Sequence, residues 1–241
     1  MKISYSWIKE FVDVKLSPKK LSDRLIMAGV SVASLDEVDG DWVYDIEVTS
    51  NRPDWLSVRG IAREVHAITG AKFNNAQPAS RAHLADGKKS QAMGDKKSLP
   101  FSVAISDTKA CPLYHGNLIT GVKVTTSPTW LLKRLNAVGL RSVNNVVDIT
   151  NLCLMEYGQP LHAFDFDKLE GGAIVVRRAR DGEHLILIDG VEKKLSAGLL
   201  VIADAKKPVA IAGIMGGQES EVSAKTANVM LESACFDPVV I

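Results

Sequence analysis

RSVNNVVDITNLCLMEYGQPLHAFD, residues 141–165, is the stretch from which the rest of the chain is read. It opens polar and then turns apolar: Val146, Val147, Ile149, Leu152, Cys153, Leu154 and Met155 crowd into a single run. Gly158 and then Pro160 close that run, as a glycine C-cap followed by a proline would. The pattern predicts a helix buried over most of its circumference. Asp148, Thr150 and Asn151 nevertheless lie inside it, and His162 follows directly. Polar groups carried into a core must be hydrogen-bonded or they cost stability. The cluster is therefore either a satisfied structural network or a binding site.

C-terminal to this stretch the chain reads as strands: residues 173–178, a hairpin LILIDGVEKKL turning at Asp189–Gly190, residues 199–202, 209–214 and 228–234. In NVMLESA, alternation puts Val229, Leu231 and Ser233 on one face and Asn228, Met230, Glu232 and Ala234 on the other. Both faces are largely apolar, so the strand is covered on both sides and Glu232 points into a pocket, where a carboxylate needs a partner. In AGIMGG, Ala212 is followed by Gly213, Gly216 and Gly217, which suit tight turns or a close backbone approach.

N-terminal to it, Ser127 and Pro128 start a helix with Trp130, Leu131, Leu135 and Val138 inside and Gly139 as its stop; strands precede it at Phe101–Val103–Ile105 and around 116–122. Residues 73–98, rich in Ala, Ser, Lys, Gly and Asn, cannot offset their ordering entropy and are read as a flexible linker, with His83 exposed. Before the linker come a short helix at 7–12 capped by Ser6, then a helix capped by Ser17 and Pro18 and closed by Gly29, with Leu21, Leu25 and Ala28 inward. A strand at 30–35 leads into the tight hairpin EVDGDWVYDIEV, turning at Asp39–Gly40. Asp54 caps a last helix carrying Val58, Ile61, Ala62, Val65 and Ile68 up to Gly70, and Arg52 pairs with Asp54 to fix the loop. The fold class is α+β: a mixed module over 1–72, the linker over 73–98, and a larger mixed-sheet domain over 99–241 whose C-terminal end is expected to be cut short.

Apolar residues make up 46% of the 241 and charged residues 24%, the composition of an ordinary globular protein. The net charge of +1 supplies no global field for nucleic acid. RNA contact must then rest on local patches, with Arg177, Arg178 and Arg180 as one candidate and a solvated strand edge as the plain alternative. No apolar run is long enough to span a membrane and no signal peptide opens the chain, so the cytoplasm is the expected compartment. Cys111, Cys153 and Cys235 are widely spaced, which suggests no metal or redox pair.

The sequence holds no GxxxxGK[ST] loop, no GxGxxG, no HExxH and no serine elbow, so nothing in it is built for ATP. The candidates are Thr150, Asn151, His162, the AGIMGG turn and Glu232. Each has a plain structural reading: helix threonines and asparagines bond nearby carbonyls, a lone histidine is satisfied in place, glycines serve turns, and Glu232 could face water from its strand.

NNVVDITN, GQPLHAFD and AGIMGG resemble the editing module of the bacterial phenylalanyl-tRNA synthetase beta-subunit family, and MKISYSWIKEFV, LSDRLIMAGVSV and SNRPDWLSVRGIAREVHAITG resemble that family's N-terminus. The resemblance implies hydrolysis of tyrosine wrongly esterified to tRNA(Phe), a reaction that needs a positioned water and oxyanion stabilisation but no metal. It implies that His162, Thr150 and Asn151 position the terminal adenosine and the water, and that His162 or the substrate ribose hydroxyl takes the proton. Ala212, Gly213, Gly216 and Gly217 would bring backbone to the amino acid, and Glu232 would sense the tyrosine hydroxyl. It further implies an alpha-subunit partner in a heterotetramer, tRNA(Phe) as substrate, and ATP and magnesium only in the complete synthetase, with no cofactor in this chain. An inactive scaffold that contacts tRNA or the alpha subunit, and a free-standing hydrolase of mischarged tRNA, are the alternatives. Two departures stand out. The hairpin at Asp39–Gly40 replaces the OB-fold insert usual in the family, and the chain stops at FDPVVI, short of the family's later domains. The chain is expected to be a fragment, an engineered piece or a shortened relative, with weak tRNA affinity.

Overall fold

The computed structural model describes residues 1–74 and 101–241, so the linker expected at 73–98, with His83, lies outside the described residues from 75 onward. The chain begins β1 (Lys2–Ser4), α1 (Tyr5–Phe11), α2 (Pro18–Met27), β2 (Ser31–Val38), β3 (Asp41–Glu47) and α3 (Val58–Thr69). It continues β4 (Ser102–Ile105), β5 (Leu113–Thr120), α4 (Thr129–Ala137), α5 (Asn145–Tyr157), β6 (His162–Asp165) and β7 (Ala173–Arg178). The last elements are β8 (His184–Ile186), β9 (Glu192–Lys194), β10 (Leu200–Ala203), β11 (Pro208–Ile211), β12 (Met215–Gly216) and β13 (Asn228–Cys235). The class is α+β, as expected.

The two compact units do not follow the sequence boundary near residue 99. One combines Met1–Asp95, Ser127–Val143 and Asn151–Gln159; the other combines Lys96–Thr126, Asn144–Thr150 and Pro160–Ile241. The cause is apolar burial. In the first unit Ile3, Trp7, Phe11, Leu25, Ile46 and Ile61 share one core with Leu131, Leu135 and Leu152, which come from α4 and α5.

Local chemistry sets the elements of this first unit. Ser4, not Ser6, caps α1, its Oγ accepting from the Trp7 N–H at 3.1 Å; Ser6 Oγ donates instead to Asp41. Ser17 caps α2 with Pro18 in the first turn, but Ala28 is exposed rather than inward. The sheet order is β1-β3-β2, and the β2–β3 hairpin turns at Asp39 and Gly40, both with positive φ (50° and 81°), as a two-residue primed turn requires. α3 is capped by Ser57, whose Oγ accepts from the Gly60 N–H, and not by Asp54. Asp54 instead forms the expected pair with Arg52, which also binds Glu64.

α5 corrects the expectation drawn from its apolar run. Asn144 caps it through two backbone N–H donors, those of Val146 and Val147. Its fully buried positions are Asp148 and Glu156, spaced with Leu152 at helical repeat, whereas Ile149 is 51% exposed. Glu156 accepts a hydrogen bond from the Trp7 indole at 3.2 Å. Val146, Val147, Cys153, Leu154 and Met155 lie at half-buried flanks of this stripe, whose ends are polar.

The second unit holds a five-stranded sheet in the order β12-β11-β10-β7-β4 and a three-stranded antiparallel sheet in the order β5-β13-β6. β4 and β7 are parallel, and the other ladders of the larger sheet are antiparallel. Tyr114, Phe164 and Met230 from the smaller sheet share one core with Ile174, Val176, Leu200, Ile202 and Val209 from the larger. The inner face of β13 therefore looks into an apolar interior, and Glu232 lies on that face.

Candidate active site

β13 is the central strand of its sheet, and its register determines the site. Glu232 is paired with Gly116 on β5 and with His162 on β6, so the two candidate side chains stand side by side on one face. Met230 and Ala234 flank Glu232 on that face, opposite Phe164 and Tyr114 respectively.

Two glycines make room for this row. A Cβ at Gly116 would lie 2.9 Å from Phe101 Cζ, so the Phe101 ring occupies the space beside Glu232. A Cβ at Gly216 would lie 2.7 Å from His162 Cε1 and 2.8 Å from Nε2, so the imidazole rests directly on the β12 backbone. Phe164 also meets the imidazole edge-on, with ring centroids 4.4 Å apart.

Glu232 is only 7% exposed, and the Tyr114 hydroxyl donates to its Oε2 at 2.7 Å. Burial raises its carboxyl to about 7, against the pull of the Tyr114 hydrogen bond. Burial also lowers His162 to about 4, so at neutral pH it is an uncharged imidazole and a weaker base than the free side chain. The cause is desolvation, which disfavours the imidazolium cation and leaves His162 a poor general base. The Tyr114 phenol is pushed well above its ordinary range, first by burial and then by Glu232.

The remaining sequence-based candidates are placed as follows. The Thr150 hydroxyl donates to Val147 O at 2.7 Å on its own helix, and Asn151 is half-buried in the first unit. Ala212 is fully buried and its N–H donates to Leu200 O; the Gly217 N–H donates to Val209 O. Those two amides are engaged in the sheet. Gly213 has φ of +69° and lies against Ile241. Tyr114, Gly116 and Phe101 carry no sequence signal for a site: strand pairing brings Tyr114 and Gly116 beside Glu232, and packing of the larger sheet brings Phe101.

The arginine patch is largely neutralised. Arg177 makes two hydrogen bonds to Glu183, at 2.8 and 2.6 Å, and Arg178 binds Asp107 at 3.0 Å and Gly198 O. The backbone N–H of Ala110, and then Arg178, hold the Asp107 carboxyl below its usual range. Among the described residues no group of His, Cys, Asp and Glu could hold a metal ion, and no helix is long and apolar enough to cross a membrane.

Residues 110–241, which contain every residue of the β5-β13-β6 sheet, match the model of the B3/4 domain. The chain belongs to the B3/4 domain family. Curated relatives of this B3/4 protein include the phenylalanine–tRNA ligase beta subunit of Carboxydothermus hydrogenoformans, 46% identical over 211 residues that cover 88% of this chain and 25% of that protein. The corresponding subunit of Rhodopirellula baltica is 42% identical over 239 residues, covering 99% of this chain and 34% of that protein. The chain thus spans about a quarter to a third of the length of these relatives. A crystal structure of an N-terminal fragment of the phenylalanyl-tRNA synthetase beta subunit from Pyrococcus horikoshii shares the fold. Its TM-score is 0.50 at 15% identity, and the match covers all of this chain and 69% of that one.

Proposed function

We propose that this B3/4 chain is part of a phenylalanine–tRNA ligase beta subunit and hydrolyses tyrosine from mischarged tRNA(Phe). The observation that carries the reading is Glu232, a carboxylate on the inner face of a two-sheet core, paired with His162 across the ladder. Tyrosine differs from phenylalanine by one phenolic hydroxyl. An apolar pocket rejects an added hydroxyl by only about 100-fold, whereas a site built to bind it rejects the analogue lacking it by roughly 10⁴ to 10⁵. Glu232 supplies the acceptor for such a site.

His162 is neutral at pH 7 and in contact with Gly216 and Phe164. Its role in this reading is to orient the ester and the attacking water by hydrogen bonding, while the neighbouring ribose hydroxyl takes the proton of that water and passes its own to the departing ribose oxygen. The substrate would be tRNA(Phe), and the partner an alpha subunit that carries aminoacylation with ATP and magnesium in the complete enzyme, in the cytoplasm. With Arg177 and Arg178 spent on ion pairs, this chain alone would hold tRNA weakly.

The test is hydrolysis of tyrosyl- and phenylalanyl-tRNA(Phe) by the protein and by Glu232→Ala. The expected result is that the variant loses its preference for the tyrosyl ester more than it loses hydrolysis. An unchanged preference in a folded variant would sink the assignment.

A further inference from the structure

The Glu232 carboxylate already holds a phenol, and that phenol belongs to the chain itself. Tyr114 lies on β5 opposite Ala234, one diagonal step from Glu232 on the same face of the sheet. Its hydroxyl reaches Oε2 at 2.7 Å, and among the described residues Oε1 makes no hydrogen bond. We infer that Tyr114 is a positioning residue for specificity: its hydroxyl holds one oxygen of Glu232, fixing the carboxylate so that the other oxygen accepts from a phenolic side chain. The inference rests on the editing reading and adds to it a second residue on which discrimination depends.

The physical argument runs through both the geometry and the charge of the carboxylate. A glutamate side chain has three rotatable bonds, and a selective acceptor must be fixed before the ligand arrives. Tyr114 fixes it from a rigid ring whose own position is set by the sheet register and by the apolar core around it. A phenol is also a donor only, as seen by a carboxylate, so it favours the ionised form, which is the form that accepts from a second phenol. Burial works against that form, and the Tyr114 hydrogen bond is the counterweight.

The other groups around Glu232 do not take over this role. His162, directly opposite on β6, is neutral through burial. Cys111 is a buried thiol whose ionisation burial and Glu232 oppose. From the larger sheet, Phe101 and Val103 on the β4 side and Gly216 on β12 present no charge.

The test is Tyr114→Phe, which keeps the ring in the core and removes only the hydroxyl. Hydrolysis of tyrosyl- and phenylalanyl-tRNA(Phe) is measured from pH 6 to pH 9 for wild type, Tyr114→Phe and Glu232→Ala, with folding checked by circular dichroism. The expected result is a tyrosyl-over-phenylalanyl preference about tenfold lower in Tyr114→Phe at pH 7, with the phenylalanyl rate nearly unchanged. The preference should return toward wild type as pH rises and the carboxyl ionises, so its midpoint moves upward; a loss of packing would not move it. A Tyr114→Phe variant with the wild-type preference and midpoint overturns this inference and leaves the editing reading standing, provided Glu232→Ala loses the preference. A wild-type protein that shows no preference for the tyrosyl ester overturns both.

Discussion

Glu232 and His162 face each other as directly paired residues of neighbouring antiparallel strands, and burial shifts them in opposite directions: the acid up to about 7, the base down to about 4. Each is driven toward its neutral form by the same apolar surroundings. The site is therefore one in which charge is scarce and a hydrogen bond counts for more than it would at the surface.

Glu232→Gln should make the protein more stable at alkaline pH. A carboxyl raised from 4.5 to about 7 contributes fully below pH 4.5, and that contribution is lost as pH rises through 7. By pH 8 the wild type has lost roughly 3 kcal/mol that the neutral amide keeps. Urea unfolding of wild type and variant should give similar stability at pH 4.5 and a gain of roughly 2–3 kcal/mol for the variant at pH 8. Comparison at a single pH cancels the His162 contribution. An equal difference at both pH values would refute it.

His162 should show no titration near 6.5. Its folded pKa is depressed to about 4, so the stability it contributes is present above 6.5 and is lost as pH falls from there toward 4. The imidazole resonances followed by NMR should shift with a midpoint well below 6. His162→Ala should slow hydrolysis about 10- to 100-fold, short of the roughly 10²- to 10⁴-fold typical of general acid–base groups, because the residue orients more than it accepts a proton. A midpoint at 6.5 with a loss above 1,000-fold would restore it as general base.

Gly216→Ala should impair hydrolysis without unfolding the chain. The backbone conformation at Gly216 is one any residue adopts, but the new methyl would overlap the His162 ring. The imidazole has to move, and a displacement near 1 Å at a reacting group costs on the order of 100-fold. The expected outcome is a cooperative unfolding transition like the wild type's and a hydrolysis rate lowered to the level of His162→Ala. Full activity would show that the ring tolerates displacement.

Gly60→Ala should destabilise the first unit, against the usual trend. Inside a helix this change generally gains about 0.5–1 kcal/mol. Here the Cβ would lie 1.7 Å from the Asp54 carbonyl oxygen, which belongs to the turn held by the Arg52–Asp54 pair. Backbone cannot swing aside as a side chain can, so the net effect should be a loss of about 1–3 kcal/mol in chemical unfolding.

Much of the fold was legible because local chemistry marks it. Ser17–Pro18, Asp39–Gly40, Gly70 and Gly158 fixed helix and hairpin ends close to where they lie. β7 and the last strand read correctly from apolar runs, and alternation placed Glu232 on an inward face. What local pattern does not carry is pairing. The neighbour of Glu232 across one ladder is His162 and across the other Gly116, with Tyr114 one diagonal step away, and that register spans up to 118 positions of sequence. α5 misled for a related reason: its apolar run counts residues, whereas the buried stripe through Asp148, Leu152 and Glu156 depends on what packs against it.

The first core also imposes an order on synthesis. Leu131, Leu135 and Leu152 fill it alongside Trp7, Phe11 and Ile61, so a chain leaving the ribosome N-terminus first cannot complete that core until α4 and much of α5 have followed. Until then α1, α2 and α3 emerge with apolar sockets open to solvent or to a chaperone. A gene cut within residues 73–98 would make that interim state permanent. Expressed alone, residues 1–72 should therefore bind hydrophobic dye and aggregate, while the uncut chain folds as two units whose cores share one thread.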